Sequence, residues 1–174
     1  MLEMEKWEKA AQFHGHKCPG LAIGFRACEA LSVRIPFGAS ADEEIVCVTE
    51  NDTCAVDAVQ SILSCTFGKG NLIYKPYGKM AFSFYFGESG AKIRILFKAI
   101  KNEEVSREDW MDHILHAPID ELFTFGEPKF ELPEHARIFR SLVCEECGES
   151  AREDKIRLKN GKMVCLNCFQ EYDR

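Results

Sequence analysis

A short segment near the start of the chain concentrates side chains that bind transition metals. His14, His16 and Cys18 fall within five positions, and Gly15 and Pro19 shape the backbone around them. Imidazole nitrogen and cysteine sulfur are ligands that suit zinc and related transition metals. We therefore interpret this segment as half of a site for Zn²⁺ or another transition metal. The alternative is a pair of surface histidines beside one buried cysteine.

A second segment contributes a cysteine that can complete the site. Residues 50–53 read Glu-Asn-Asp-Thr, which is typical of a helix start, so Cys18 and Cys54 both lie at predicted helix N-termini. Helix N-termini carry partial positive charge and favour the thiolate, the form that binds metal or attacks an electrophile. We predict His16, Cys18 and Cys54 as ligands, with His14 as the fourth ligand or as a partner that orients a ligand.

Three protein ligands leave one coordination position open for water or substrate, which is the catalytic pattern. Asp57 follows Cys54 by three residues and shares its helix face, so it can orient an imidazole or act as a base. Cys54 and Asp57 are therefore the candidate catalytic residues, and a surface aspartate is the alternative for Asp57. Lys69 and Lys79 follow in a glycine-rich stretch and are candidates for binding an anionic ligand or cofactor, with solvated loop lysines as the alternative.

Four cysteines near the end of the chain form a different pattern. Cys144 and Cys147 make one Cys-x2-Cys pair, Cys165 and Cys168 make a second, and seventeen residues separate the pairs. This spacing predicts a tetrahedral site whose four positions are filled by sulfur, and hence a structural Zn²⁺. Asn160-Gly161 between short alternating segments indicates a hairpin. With a short helix after the last pair, this is the layout of a treble-clef zinc finger.

Composition and charge limit the classes of function. The chain has 174 residues, of which 46% are hydrophobic and 29% charged, and this composition indicates a globular protein. Its net charge of -6 argues against a broad nucleic-acid footprint, and its nine cysteines are an odd number that does not suit a disulfide framework alone. No apolar run is long enough to span a bilayer, so we expect no membrane-spanning helix. The charged first residues lack an apolar signal core, which predicts a cytoplasmic protein in a reducing compartment, where structural disulfides are rare.

Hydrophobic periodicity places the elements that must position these side chains. We predict helices over residues 5–14, from residue 19, over 54–65 and over 106–116, and strands over 45–48, 80–86, 93–97 and 129–132. Gly68 and Gly70 are expected to close the third helix. Cys65 is too far from Cys54 to share an ion, because eleven helical residues span roughly 16 Å. The change in composition near Val143 predicts domains over residues 1–140 and 141–174.

Four sequence blocks in a fixed order resemble the E-subunit family of formylmethanofuran dehydrogenase. The blocks are His14-Gly-His16-Lys-Cys18-Pro19-Gly20-Leu-Ala-Ile-Gly24, Glu50-Asn-Asp-Thr-Cys54-Ala-Val-Asp57-Ala-Val-Gln60, Cys65-Thr-Phe-Gly68-Lys69-Gly70-Asn71 and Lys79-Met-Ala81-Phe82. The resemblance covers roughly residues 8–130 in spaced blocks, and the order of the four is specific although each alone is weak. Some members of the family carry a C-terminal zinc finger, as this chain is predicted to.

The resemblance implies an α+β fold, with a mixed sheet flanked by helices, and a metal-capable site at the first block. It also implies partners: the other components of a molybdenum or tungsten formylmethanofuran dehydrogenase-like complex of C1 metabolism, related to methanogenesis. No iron–sulfur cysteine run or pterin-binding segment is visible, so the redox chemistry of such a complex would belong to those other components. We also consider a homodimer, for which the sequence offers no argument.

Three functions are therefore open. The first is a metal-binding accessory subunit, or small metalloprotein, of this family. The second is a regulatory module that docks through its zinc finger. Acidic residues in the finger offset its basic residues, so we expect a protein partner at least as much as a nucleic acid. The third is thiol redox chemistry between Cys18 and Cys54.

Overall fold

The computed structural model of the chain describes residues 4–35, 44–87, 89–132 and 139–170. The chain divides into two units, Met1–Leu132 and Pro133–Arg174. Among the helices of the described residues, none combines the length and apolar character needed to cross a bilayer. Residues 133–138, which precede the boundary expected at residue 140, lie outside the described chain, and that boundary stays a prediction.

The N-terminal unit is a mixed sheet with helices packed against it. Its helices are α1 (Met4–His14), α2 (Pro19–Arg34), α3 (Ala55–Leu63), α4 (Arg107–His116) and α5 (Ile119–Leu122). Its strands are β1 (Ile45–Thr49), β2 (Leu72–Tyr74), β3 (Ala81–Phe86), β4 (Lys92–Phe97) and β5 (Phe123–Gly126), in the sheet order β2-β1-β3-β4-β5. β1 and β2 are parallel, because α3 crosses between them, and the other pairs are antiparallel. The predicted α+β class is confirmed.

Helix α2 lies at the centre of this unit. It packs against α1, α3 and α4, and every residue from Leu21 to Leu31 is buried. Even Arg26 is buried, and its guanidinium donates to the carbonyls of Leu115 and Ala117 at the end of α4. A helix that is buried in this way is held rigidly, so the backbone at its N-terminus, where Cys18 lies, is well fixed.

The predicted helix starts agree closely with the observed ones, whereas the predicted end of one helix does not. Ser106 caps α4, the helix predicted over residues 106–116, and its Oγ accepts the Asp109 N–H at 3.0 Å. The prediction that Gly68 and Gly70 close α3 is wrong, because Ser64 already adopts a left-handed conformation with φ of 58°.

The last strand of this unit lies earlier in the chain than predicted. It is Phe123–Gly126 rather than residues 129–132. Phe123 and Phe125 pair with β4 and add their rings to the apolar core, and this burial outweighs the alternating pattern of the later segment. Strand β2, which was not predicted, is three residues long and is stabilised by its pairing with β1. Pro36 and Gly38 predict a loop over residues 34–44, most of which (residues 36–43) lies outside the described chain.

The C-terminal unit consists of two short hairpins. Its strands are β6 (Ser141–Val143), β7 (Ser150–Arg152), β8 (Ile156–Lys159) and β9 (Lys162–Cys165). Asn160 and Gly161, with φ of 52° and 82°, join β8 to β9, which confirms the predicted hairpin turn. The short helix predicted after the last cysteine pair would run through Gln170 and Tyr172, largely on residues 171–174, which lie outside the described chain.

Candidate metal centres

Three predicted ligands converge where α1 ends. One donor atom each of His14, His16 and Cys18 lies within 4.8 Å of the others. Gly15, with φ of 93°, turns the backbone so that the two imidazoles lie 4.5 Å apart between ring centroids. His14 Nε2 is 3.7 Å from Cys18 Sγ. Two such ligands on one tetrahedral zinc ion would be roughly 3.6 Å apart at ordinary bond lengths, so the donors fit an ion.

Cys18 is held by the start of α2. It is the N-cap residue of that helix, and its sulfur accepts the backbone N–H of Leu21 at 3.4 Å. The Cys18 side chain is buried, whereas His16 is exposed. The exposed imidazole leaves one side of the cluster open to solvent.

Cys54 approaches from the start of α3. Asn51 Oδ1 accepts hydrogen bonds from the Thr53 backbone N–H at 3.2 Å and from the Thr53 hydroxyl at 2.8 Å. This local turn sets Cys54 at the N-cap of α3. A Cβ at Gly20 would lie 3.6 Å from Cys54 Sγ, so Cys54 lies beside the start of α2, but it is not among the three residues whose donor atoms lie within 4.8 Å of one another. The structure therefore brings the second predicted segment to the first.

Two glycines on α2 allow this approach. A Cβ at Gly20 would lie 3.0 Å from the Cβ of Cys54, and a Cβ at Gly24 would lie 2.1 Å from the carbonyl oxygen of Ala55. The two helices thus meet where the side chain of α2 is missing. This close approach was not predicted from the sequence, although two glycines four residues apart on one helix face are a signal for close helix contact.

The protonation of Cys54 differs from the expectation for a helix start. Burial, followed by the neighbouring Cys18 thiol, raises the pKa of Cys54, and its side chain makes no capping hydrogen bond. A raised pKa counts against thiol redox chemistry, which requires a thiolate at Cys54. A cation at the cluster would favour the thiolate of Cys54 by direct electrostatic attraction.

Asp57 contacts an imidazole. Its Oδ2 lies 2.7 Å from His14 Nδ1, across from the Nε2 that faces Cys18. Because a carboxylate can only accept, the proton of a neutral His14 lies on Nδ1 and the lone pair lies on Nε2. This geometry matches the orienting role predicted for Asp57 more closely than the role of a base.

The two candidate lysines lie in different places. Lys69 follows the C-terminal end of α3, the end opposite Cys54, and its backbone N–H donates to Thr66 Oγ1 at 3.3 Å. The Lys79 backbone N–H donates to the Glu50 carbonyl at 3.0 Å, beside the segment that leads to Cys54. The geometry therefore favours Lys79 over Lys69 as a group that a ligand at the cluster could meet.

The C-terminal cysteines converge on a single point. Sulfurs of Cys144, Cys147, Cys165 and Cys168 all lie within 4.8 Å of one another, and Cys147 Sγ is 3.9 Å from Cys165 Sγ. Two sulfurs on one tetrahedral zinc ion are about 3.8 Å apart. Backbone N–H groups of Cys147 and Cys165 lower the pKa of Cys144 to about 6, whereas burial raises the pKa of Cys168 to about 12. Four sulfur donors leave no position for a substrate.

Fold and sites together define a metal-binding protein of two units, an α+β unit with a His/Cys cluster and a four-cysteine zinc finger. The chain belongs to the FmdE family: the family model described as FmdE, molybdenum formylmethanofuran dehydrogenase operon, matches residues 13–124. The model of the prokaryotic dksA/traR C4-type zinc finger matches residues 137–174. Both the resemblance and the predicted finger are confirmed.

Two similar proteins carry descriptive names. A protein of Archaeoglobus fulgidus, named a probable S-adenosyl-L-methionine-binding protein, is 32% identical over 196 residues, with 94% of this chain and 52% of the relative covered. This chain thus spans about half the length of that relative. The crystal structure of an FmdE-like protein of the tungsten formylmethanofuran dehydrogenase type, from Syntrophus aciditrophicus, is 25% identical, with a TM-score of 0.70 over 95% of this chain and 90% of that chain.

Proposed function

We propose that the chain is a metal-binding accessory subunit, or small metalloprotein, of the FmdE type, with an open transition-metal centre in its N-terminal unit. The observation that carries the proposal is the convergence of the donor atoms of His14, His16 and Cys18 within 4.8 Å. Cys54, at the start of α3 and beside Gly20 of α2, is the fourth candidate ligand. The mixed nitrogen and sulfur donors suit zinc, and one exposed ligand gives a small molecule access.

A bound ion of this kind would act as a Lewis acid and lower the pKa of coordinated water. The side chains of the unit would each have a defined task. Cys18 would hold its place through the N-terminus of α2, and His14 would present Nε2 while Asp57 holds the proton on Nδ1. Lys79, on the neighbouring loop, would attract an anionic ligand.

Metal analysis of matched variants tests this centre. We expect two ions per wild-type chain, and one ion per chain in Cys18→Ala and in Cys54→Ala. Cys28→Ala is the control, because Cys28 is a buried core residue of the same helix as Cys18. We expect it to retain both ions. Full occupancy in both the Cys18 and Cys54 variants would refute the N-terminal centre.

Association with a molybdenum or tungsten formylmethanofuran dehydrogenase is the partner arrangement we propose. It is supported by the family description and by the name of the similar solved structure. Co-purification of the tagged full chain with the dehydrogenase components of its own organism tests the arrangement. A complex that forms with wild type but not with Cys144→Ser would indicate docking through the finger, whereas absence of any complex would contradict the arrangement.

A second candidate function is binding of S-adenosyl-L-methionine. One observation favours it: a relative with that name aligns with 94% of this chain. Calorimetric titration of the metal-loaded chain with S-adenosyl-L-methionine tests it directly. S-adenosylhomocysteine and adenosine serve as matched probes for the charge and the base. A titration without saturable binding would remove this candidate and leave the metal centre unaffected.

A further inference from the structure

Gln60 lies one turn beyond Asp57 on α3 and joins a line of hydrogen bonds that ends at the His/Cys cluster. Its Nε2 donates to Asp57 Oδ1 at 3.1 Å. The other carboxylate oxygen, Oδ2, lies 2.7 Å from His14 Nδ1, and His14 Nε2 lies 3.7 Å from Cys18 Sγ. Four side chains from three helices are therefore connected in a single row.

Asp57 fixes the direction of the two hydrogen bonds that it accepts. An ionised carboxylate accepts hydrogen bonds and donates none, so Gln60 must present its NH₂ group and His14 must present Nδ1–H. The lone pair of a neutral His14 is then on Nε2, the nitrogen that faces Cys18. This is the tautomer that a cation at the cluster requires.

The Asp57 carboxylate has alternative interactions that compete with its contact to His14. Asp57 is an acidic residue in the first turn of α3, where the partial positive charge of the helix N-terminus attracts a carboxylate. Its side chain is 35% exposed, so water offers a further alternative, whereas the His14 side chain is only 12% exposed. A second hydrogen bond on Oδ1 removes this freedom, because it fixes the plane of the carboxylate and aims Oδ2 at the imidazole.

We infer that Gln60 is a positioning residue of the N-terminal metal centre. It holds the Asp57 carboxylate, and through Asp57 it keeps His14 as the Nδ1–H tautomer with Nε2 free to bind metal. The inference rests on the proposed metal centre. Partners of this kind, one bond removed from a ligand, typically change metal affinity by ten- to a hundredfold when they are lost.

A local role for Gln60 gives a different expectation. Residues three apart on a helix often pair, and such a pair stabilises the helix slightly without affecting any distant group. The two roles separate at His14: a positioning residue controls the imidazole tautomer, and a merely structural one does not.

Two substitutions on the full chain test the inference. Gln60→Met keeps the length of the side chain and removes the N–H donor, and Gln60→Glu keeps the shape and places an acceptor against Asp57. Gln12→Met is the control, the same chemical change at an exposed glutamine on α1. The first readout is zinc affinity of the weaker site, measured by competition with a chromogenic chelator. The second is the tautomer of His14, from the ¹⁵N shifts of its imidazole after treatment with a mild chelator.

We expect zinc affinity to fall about tenfold in Gln60→Met and further in Gln60→Glu, with Gln12→Met unchanged. His14 should be the Nδ1–H tautomer in wild type and should gain Nε2–H population in both Gln60 variants. Wild-type affinity and tautomer in both variants would overturn the inference. Weaker zinc binding with the wild-type tautomer would also overturn it, since it would indicate a structural role in α3.

The tautomer measurement separates this inference from the proposed function. It needs no bound metal, so a wild-type chain that takes up only one ion would refute the metal centre and leave the measurement valid. A shift of His14 to Nε2–H in Gln60→Met would then still support control of His14 by Gln60.

Discussion

The His/Cys cluster of the N-terminal unit and the four-cysteine cluster of the finger are built in opposite ways. In the finger all four ligands come from residues 144–168, two short knuckles and the hairpin between them. In the N-terminal unit the three clustered donors come from the end of α1 and the start of α2, and the proposed ligand Cys54 comes from the start of α3. These helices belong to a large apolar core. The finger makes its site by local geometry, whereas the N-terminal site depends on how three helices pack.

The cores behind the two clusters differ as much as the ligands. Among the described residues of the finger, the buried hydrophobic side chains are Cys144, Val164 and Cys165, so two of the three are ligands themselves. The finger therefore depends on its ion for folding, while the N-terminal unit should fold without one. Each prediction below tests this contrast, and the expected effects decrease from the first to the last.

Removal of zinc from the finger should produce the largest effect. Structural zinc sites contribute on the order of 10 kcal/mol at neutral pH, more than a unit of this size can supply from its core. We expect a strong chelator, or Cys144→Ser, to abolish the amide dispersion of residues 139–170 in NMR spectra while the spectrum of the N-terminal unit persists. A finger that keeps its dispersion without zinc would contradict the contrast.

Loss of the buried ion pair in the N-terminal unit should come next. Glu50 accepts from Arg94 Nε at 2.6 Å and from Nη2 at 3.0 Å, and the two side chains are only 1% and 10% exposed. Glu50→Gln leaves the buried guanidinium without its counter-charge, so we expect destabilisation of about 3 kcal/mol in denaturant unfolding. Glu50→Gln with Arg94→Met should recover part of the loss, and the finger should be unaffected.

Filling the space between α2 and α3 should have an effect on both stability and metal. A Cβ at Gly24 would lie 2.1 Å from the Ala55 carbonyl oxygen, so Gly24→Ala must separate the helices that carry Cys18 and Cys54. We expect about 2 kcal/mol of destabilisation and loss of the weaker metal ion. Gly68→Ala is the control, since a Cβ there meets nothing within 4 Å. Equal effects at the two glycines would show that close packing does not build the site.

Loss of the carboxylate behind His14 should have the smallest effect on stability. Asp57→Asn keeps the shape and removes the charge that holds Nδ1–H. We expect zinc affinity at the N-terminal centre to fall about tenfold, with the midpoint of unfolding nearly unchanged because Asp57 is partly exposed. Chelator competition and thermal unfolding on the same samples separate the two. Unchanged affinity would exclude an orienting role for Asp57.

The finger illustrates what is accessible from sequence. Two Cys-x2-Cys pairs and an Asn-Gly turn are local features, and the structure contains both the clustered sulfurs and the hairpin. The same holds for the start of α2 at Pro19 and for the Ser106 cap of α4, because each depends on a few neighbouring residues.

The predictions from sequence are wrong where contacts between residues distant in the chain determine the structure. The strand placed at residues 129–132 lies at Phe123–Gly126, since pairing with β4 and burial of two phenylalanines select the register. Strand β2 forms because β1 lies beside it, and its three residues carry too little pattern to predict. Such choices depend on the surface that a segment meets after folding.

Some features of the N-terminal cluster follow from local sequence, and others follow from contacts between distant residues. The sequence by itself determined the donors of the His14–Cys18 segment and the helix starts that carry Cys18 and Cys54, because side-chain chemistry and capping preferences are local. Only the tertiary structure decided that Asp57 contacts His14 and that Gly24 lets α3 approach α2. Both distances are set by helix packing, and helix packing depends on the whole core.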